Sequence, residues 1–338
     1  MVDLGYAYAN ARVKGMKSNL LGSHVFRELM QVRTVDEVIA LLEQTPYKKD
    51  LVEASRMRSG VQLVDVALSN NLARTIATMG RIMPKHASGL FSLLTADWDA
   101  QNIKLILSKK ALGKEVAESE LIGSHGKAKL FLQKLAKAKN MKDAISIVTS
   151  GWGLKEFRIS MKNLVEKEPE PDLRKLIAKI EEERARRLTV LSKKSDRLTA
   201  RIVEAQLALE SVMAVMRLKR EGVKDEEKYV VYRNALVRKL LHTPDFEHCI
   251  KEIASAYQLP PEVAEKSRNS LSLLEIALEK KTAERIMRWT RMSVLSFATA
   301  VGFVFLKNLE VSNLRKIAYA SAFGLKEELK EYVFAINA

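Results

Sequence analysis

Apolar residues recur along this chain at helical spacing, and period-two alternation is nowhere sustained. Tyr6, Ala9, Val13, Met16 and Leu20 share one helical face in a segment running to about residue 30. Gly22-Ser23 breaks that segment, with Ser23 the expected cap of the next helix. A short helix is expected from Thr34 to Leu42, opened by a capping box of Thr34 and Glu37. Thr45-Pro46-Tyr47 closes it, because proline disfavours helical geometry in the residue before it. Farther on, Leu173, Leu176, Ile177 and Ile180 stripe a long helix beginning at Asp172, braced by Glu182–Arg186 and Glu183–Arg187 pairs. Glu168-Pro169-Glu170-Pro171 before it reads as a loop. The longest uncharged apolar run, between Arg291 and Lys307, reads as one buried helix, short of the about 20 residues a membrane span needs. The expected class is all-α.

The pattern also repeats. Asp97-Trp98-Asp99-Ala100-Gln101-Asn102-Ile103-Lys104 returns near the other end as Leu309-Glu310-Val311-Ser312-Asn313-Leu314-Arg315-Lys316. In each copy an acid (Asp99, Glu310) precedes an Asn (Asn102, Asn313) by one helical turn, so both lie on one face. A middle copy runs Leu209-Glu210-Ser211-Val212-Met213, with Met213 in the Asn position. Leu63-Val64-Asp65 is echoed by Leu273-Leu274-Glu275, and Leu20-Leu21-Gly22-Ser23-His24 by Leu121-Ile122-Gly123-Ser124-His125. The helix end Thr45-Pro46-Tyr47 returns as Thr243-Pro244-Asp245-Phe246, and more loosely as Thr149-Ser150-Gly151-Trp152. Three units of roughly one hundred residues follow, at about 1–115, 116–222 and 223–338.

Composition narrows the class. Of 338 residues 47% are hydrophobic, so a folded core is expected, and only seven prolines interrupt it. The single Cys249 excludes an intramolecular disulfide and a CxxC metal site, and fits a reducing compartment; Met1-Val2-Asp3-Leu4 does not open a secretory signal. A net charge of +16 favours an anionic partner, or equally a solvated basic surface.

Candidate chemistry is sparse. Phosphate-loop, dinucleotide, zinc-protease and nucleophile-elbow motifs are all missing from the sequence. The five histidines are scattered, and His248 beside Cys249 does not converge with it on one ion. No catalytic, cofactor-binding or metal-ligating residue is therefore expected. Asp99, Asn102, Glu210, Glu310 and Asn313 read as structural, the acid capping or salt-bridging and the Asn joining a contact between helices. Lys127, Lys129, Lys134, Lys137, Lys139 and Lys142 read as the basic side of one amphipathic helix, suited to a membrane surface or an acidic protein face. A basic helical-repeat protein binding nucleic acid is the alternative. It is set back by 6% aromatic content and by the unit length, since RNA-reading helical repeats recur at about 30–40 residues.

Taken together, Tyr8-Ala9-Asn10-Ala11-Arg12-Val13, the aliphatic-Thr-aromatic helix ends and the recurring acid-xx-Asn signature resemble a known family. It is that of the C subunits of archaeal and bacterial A/V-type ATP synthases, related to the d subunits of eukaryotic vacuolar ATPases. The resemblance covers nearly the whole chain. It implies three similar helical domains in a pseudo-threefold, funnel-like arrangement. It further implies a non-catalytic rotor component without cofactors, peripheral to the cytoplasmic face of the cell membrane. The implied partners are the D and F subunits of the central stalk and the proteolipid (c or K) ring, which alone links the protein to the membrane. The chain would be a socket that passes torque between ring and stalk. Arg12, Lys14, Lys127, Lys129, Lys134 and Lys137 are the interface candidates that accompany this reading.

Overall fold

A computed structural model describes residues 5–116, 121, 126–153, 155–168, 172–223, 226–293, 295–325 and 333. Among them every regular element is helical and no strand occurs, so the fold is all-α. Ile122-Gly123-Ser124-His125, Pro169-Glu170-Pro171 and Met1–Leu4 lie outside the described residues, as do the side chains of Lys127 and Lys129.

The chain begins with α1 (Gly5–Lys17), α2 (Ser23–Gln31), α3 (Val35–Leu42) and α4 (Lys48–Ala54). It continues through the long α5 (Gly60–Ile82) to α6 (Ser88–Leu94) and α7 (Ala96–Ala111). Then come α8 (Gly126–Ala136), α9 (Met141–Gly151), α10 (Lys155–Lys167) and α11 (Leu173–Lys194). The rest comprises α12 (Arg197–Arg220), α13 (Ala235–His242), α14 (Phe246–Tyr257), α15 (Pro261–Asn269), α16 (Leu271–Met292) and α17 (Ala298–Phe323).

Short polar side chains start these helices. Thr34 and Glu37 form the reciprocal capping box at α3, as the sequence suggested. Asn140 accepts from the Asp143 amide at α9, Asp196 caps α12, Asn234 caps α13 and Ser270 caps α16. The cap at α2 differs from expectation: Ser23 is already helical, and Gly22 precedes it without a side-chain bond.

Two longer readings are corrected. The run from Arg291 to Lys307 is not one helix. Between α16 and α17 the Ser293 hydroxyl meets those of Ser296 (2.6 Å) and Thr299 (3.1 Å), and these local bonds compete with the helical ladder. Likewise the lysines from Lys127 to Lys142 do not share one helix. Asn140 opens a new one, leaving Lys134 on α8, Lys139 between the helices and Lys142 on α9.

The contacts divide the chain into two compact units, Met1–Leu68 with Ser192–Ala338, and Ser69–Leu191. In the first, α17 is buried around most of its circumference and packs on α1, α3, α12 and α16. Gly302 lets α16 and α17 touch: a Cβ there would stand 2.0 Å from Thr290 Cγ2. A second core in this unit joins Val212 and Met216 of α12 to Val237, Leu240, Ile250 and Leu274. In the other unit Ile103, Ile106 and Leu107 of α7 meet Leu132, Leu135, Val148 and Trp152, with Met161 and Ile180 closing the core.

Candidate functional site: the buried acids of the signature helices

Glu310 sits in the middle of α17 with no exposed surface, and Asn313 one turn on is equally buried. A carboxylate so far from water is tolerated only when its oxygens are bonded. Three donors reach it. The Leu21 amide donates to Oε2 at 2.5 Å, the Tyr47 hydroxyl to Oε1 at 2.7 Å, and Lys307 Nζ to Oε1 at 2.8 Å. Lys307, itself only 5% exposed, also donates to Tyr47 Oη at 2.8 Å and stands 4.3 Å from the Tyr47 ring centre. Burial first, and the Glu310 carboxylate second, push the Tyr47 phenol well above its ordinary range, so it remains a donor. The acid thus ties the Leu20-Leu21-Gly22 turn and the Thr45-Pro46-Tyr47 helix end to one helix.

The other unit carries a related cluster around α7. Asp99 is 7% exposed, and burial raises its carboxyl to about 6 against the opposing pull of Arg187 and of the Trp152 indole. Trp152 Nε1 is buried without a well-formed hydrogen bond, while the Arg187 guanidinium lies 5.6 Å from the Trp152 ring centre. Two positions earlier Asp97 accepts from Arg184 at 2.8 Å, and Arg184 also donates to Glu181 at 2.7 Å. Lys104 donates to the same Glu181. Asn102 is buried on the Asp99 face.

Glu210 on α12 is only half-buried, with Gln206 donating to it at a long 3.4 Å. Here the aromatic that would answer Tyr47 or Trp152 is Phe246, which has no polar atom to offer and packs on the α12 core instead.

A rule of pairing connects these contacts. Glu310 of the third sequence copy bonds Tyr47 of the first, and Asp99 of the first interacts with Trp152 of the second. Arg315 of the third copy pairs with Asp65 of the first at 2.7 Å. Arg217 of the second pairs with Glu275 of the third, also at 2.7 Å. In terms of the sequence copies, residues of α7 thus meet the second, of α12 the third and of α17 the first.

The basic candidates are not part of these clusters. Arg12 and Lys14 are exposed on α1; Lys134 on α8 and Lys137 just after it are exposed in the other unit. Among the described residues no group of three or more His, Cys, Asp or Glu side chains is placed to hold a metal ion. No described helix is long and apolar enough to cross a membrane. Sequence reasoning did not name Tyr47 or Lys307 as polar partners, and it paired Arg187 with Glu183 but not with Asp99 or Trp152. Tyr47 was visible as the aromatic of a helix-end motif, and Lys307 as the residue one turn before Glu310, yet nothing in either pattern joins them across 260 positions.

Comparison with known proteins identifies a family. The family model described as "ATP synthase (C/AC39) subunit" matches residues 9–332. The chain belongs to this family. It is 30% identical to the C subunit of the A-type ATP synthase of Desulfurococcus sp. (strain SY) over 336 residues, 96% of this chain and 90% of that one. The corresponding A-type C subunit of Thermococcus onnurineus (strain NA1) is 29% identical, with 97% and 90% covered. That of Methanococcoides burtonii is 28% identical, with 96% and 92% covered. The span matched by the C/AC39 family includes α17 and every partner of Glu310, so the buried cluster lies inside the family's region rather than in an appended segment.

Proposed function

We propose that this ATP synthase component is a non-catalytic rotor coupler, a socket between the D and F subunits of the central stalk and the proteolipid ring. It acts at the cytoplasmic face of the membrane and reaches the membrane only through the ring. The observation that carries the reading is the cyclic pairing of signature helices with the following copy, within a chain that matches A-type C subunits along its length. A chain whose third copy answers its first supports closure around an axis, as a pseudo-threefold funnel of three helical domains at about 1–115, 116–222 and 223–338 requires. A part that transmits torque must also resist shear, and charges buried between helices and fully bonded rigidify a core. On this reading Asp99, Asn102, Glu210, Glu310 and Asn313 are structural, and Arg12, Lys14, Lys127, Lys129, Lys134 and Lys137 supply a basic contact surface for the ring or stalk.

The test is capture of the complex by a C-terminal tag from mildly solubilised membranes of the source cell, followed by its native mass. A proteolipid ring together with D- and F-type stalk proteins is the expected cargo. Nucleic acid recovered without ring or stalk would overturn the reading in favour of a basic helical-repeat binder. Charge reversal at Lys134 and Lys137 should weaken attachment at low salt more than at high salt; unaltered attachment removes them from the interface.

A further inference from the structure

Between the end of α1 and the junction of α16 with α17 lies a cavity of about 250 Å³. Its floor is apolar, made by Val13, Phe303 and Leu306, and its rim carries Lys14, Lys17 and Arg291. Among the described residues no carboxylate pairs with these three cations. From Gly5 to Arg27 and from Arg285 to Leu309 the sequence contains no Asp or Glu. The acids that border the second stretch are already engaged: Glu284 lies 3.7 Å from Lys281, and Glu310 is held by Lys307, Tyr47 and Leu21. None of Lys14, Lys17 and Arg291 forms an ion pair or a side-chain hydrogen bond among the described residues.

Two exposed cations elsewhere in this unit are paired: Lys239 reaches Glu252 at 2.6 Å, and Arg217 reaches Glu275. Lys17, by contrast, is half-buried and faces another cation. Burial, and then the Arg291 guanidinium, lower its ammonium from the ordinary lysine range. An arrangement that leaves like charges together over a cavity is unfavourable in itself and becomes favourable once an anion enters. Thr299, also on the wall, is committed to Ser293 and leaves recognition to the cations.

We propose that this cavity is an anion site, in which Lys14, Lys17 and Arg291 bind a phosphate-type oxyanion above the apolar floor of Val13, Phe303 and Leu306. Guanidinium and ammonium groups together suit a tetrahedral oxyanion, the first by paired donors and the second as a point charge. The group has two natural sources, free inorganic phosphate and the headgroup of an anionic lipid whose hydrocarbon meets the apolar floor. The site does not depend on the rotor reading, since it rests on one face of a single unit.

The experiment uses the full chain. Thermal unfolding is followed during titration with inorganic phosphate, with chloride at matched ionic strength as the reference, and with phosphatidylglycerol-containing vesicles against pure phosphatidylcholine vesicles. A saturable rise in Tm with phosphate is expected, and the Lys17→Gln/Arg291→Gln variant should bind roughly tenfold or more weakly. Lys17→Arg should retain binding, as should Lys251→Gln, an exposed lysine on α14. The side-chain resonances of Lys17 give a local readout, because a bound anion raises the pH at which its ammonium titrates. Protection by phosphatidylglycerol vesicles alone, lost in the double variant, supports the site with lipid as its source. The proposal is overturned by shifts that chloride reproduces, by binding that survives in the double variant, or by no response to either source. In each of those cases the three cations serve only the carbonyl ends of α1 and α16, where they occupy the last turns.

Discussion

Glu310 and Tyr47 are hydrogen-bonded at 2.7 Å although 263 residues separate them, and Lys307 donates to both. The three groups form one buried unit in which each charge is answered. Tyr47→Phe should cost about 1–3 kcal/mol, because Oε1 of a buried carboxylate loses a donor. Glu310→Ala should cost about 3–5 kcal/mol, since it strands the Lys307 ammonium away from water. The double variant Glu310→Leu/Lys307→Met should cost less than Glu310→Leu and Lys307→Met measured singly and added together, the two singles and the double forming a cycle with the parent. Urea unfolding of the four proteins gives the coupling directly, and strict additivity would mean that the pair is not a unit.

Gly302 faces Thr290 where α16 and α17 cross. An alanine there places its methyl 2.0 Å from Thr290 Cγ2 and forces the helices apart, for a loss of about 1–3 kcal/mol. Thr290→Ser removes that methyl and keeps the hydroxyl that donates to the Met287 carbonyl at 2.9 Å. The double variant should therefore recover most of the stability in the same urea assay. Failure to recover would put the strain of Gly302→Ala elsewhere on α17.

Local signals in the sequence were readable because their causes are local. The Thr34–Glu37 box and the Glu182–Arg186 pair at 2.7 Å depend on residues within one turn of each other, and both formed as expected. The acid-xx-Asn signature marked Glu310, Asn313, Asp99 and Asn102, all buried, because burial leaves its mark on neighbouring positions too. The break between α16 and α17 was hidden by an apolar composition that looks continuous; it is made by three hydroxyls whose mutual bonds no hydropathy pattern records. The Asn140 cap, with the local form Asn-x-x-Asp, divides the lysine run between two helices and was not read from the sequence. Tyr47, Arg187 and the crossing at Gly302 belong to contacts between distant segments, which periodicity along one helix does not encode.

Arg184 bridges Asp97 and Glu181 at 2.8 and 2.7 Å, and its side chain is 13% exposed. A lysine in its place carries the same charge but cannot reach both acids with fixed geometry. Arg184→Lys should lower stability by about 1–2 kcal/mol, discounted because Glu181 keeps about a third of its exposure. The loss should shrink when salt is raised, which a comparison of unfolding at low and high salt measures.

Acid pH should act on this unit in two opposing ways. Asp99 is raised from 3.8 to about 6, so between these values the folded chain holds a proton that the unfolded chain has released. Unfolding free energy therefore falls as pH rises through that window, by about 3 kcal/mol in all if Asp99 acts alone. For Glu181 burial works upward, but Arg184 and Lys104 outweigh it and hold the carboxyl below its ordinary range. Its contribution has the other sign, present near neutrality and lost as pH falls. Asp99→Asn should thus stabilise the protein at pH 7.5 relative to pH 4.5, compared with the parent, whereas Glu181→Gln should flatten the loss on the acid side. Melting curves at these two pH values and at pH 6 read the Asp99 contribution, and a further series below pH 4.5 reads that of Glu181. A parent-like profile in Asp99→Asn would mean that Arg187 already keeps Asp99 ionised across the window, and that its charge, not its burial, decides its state.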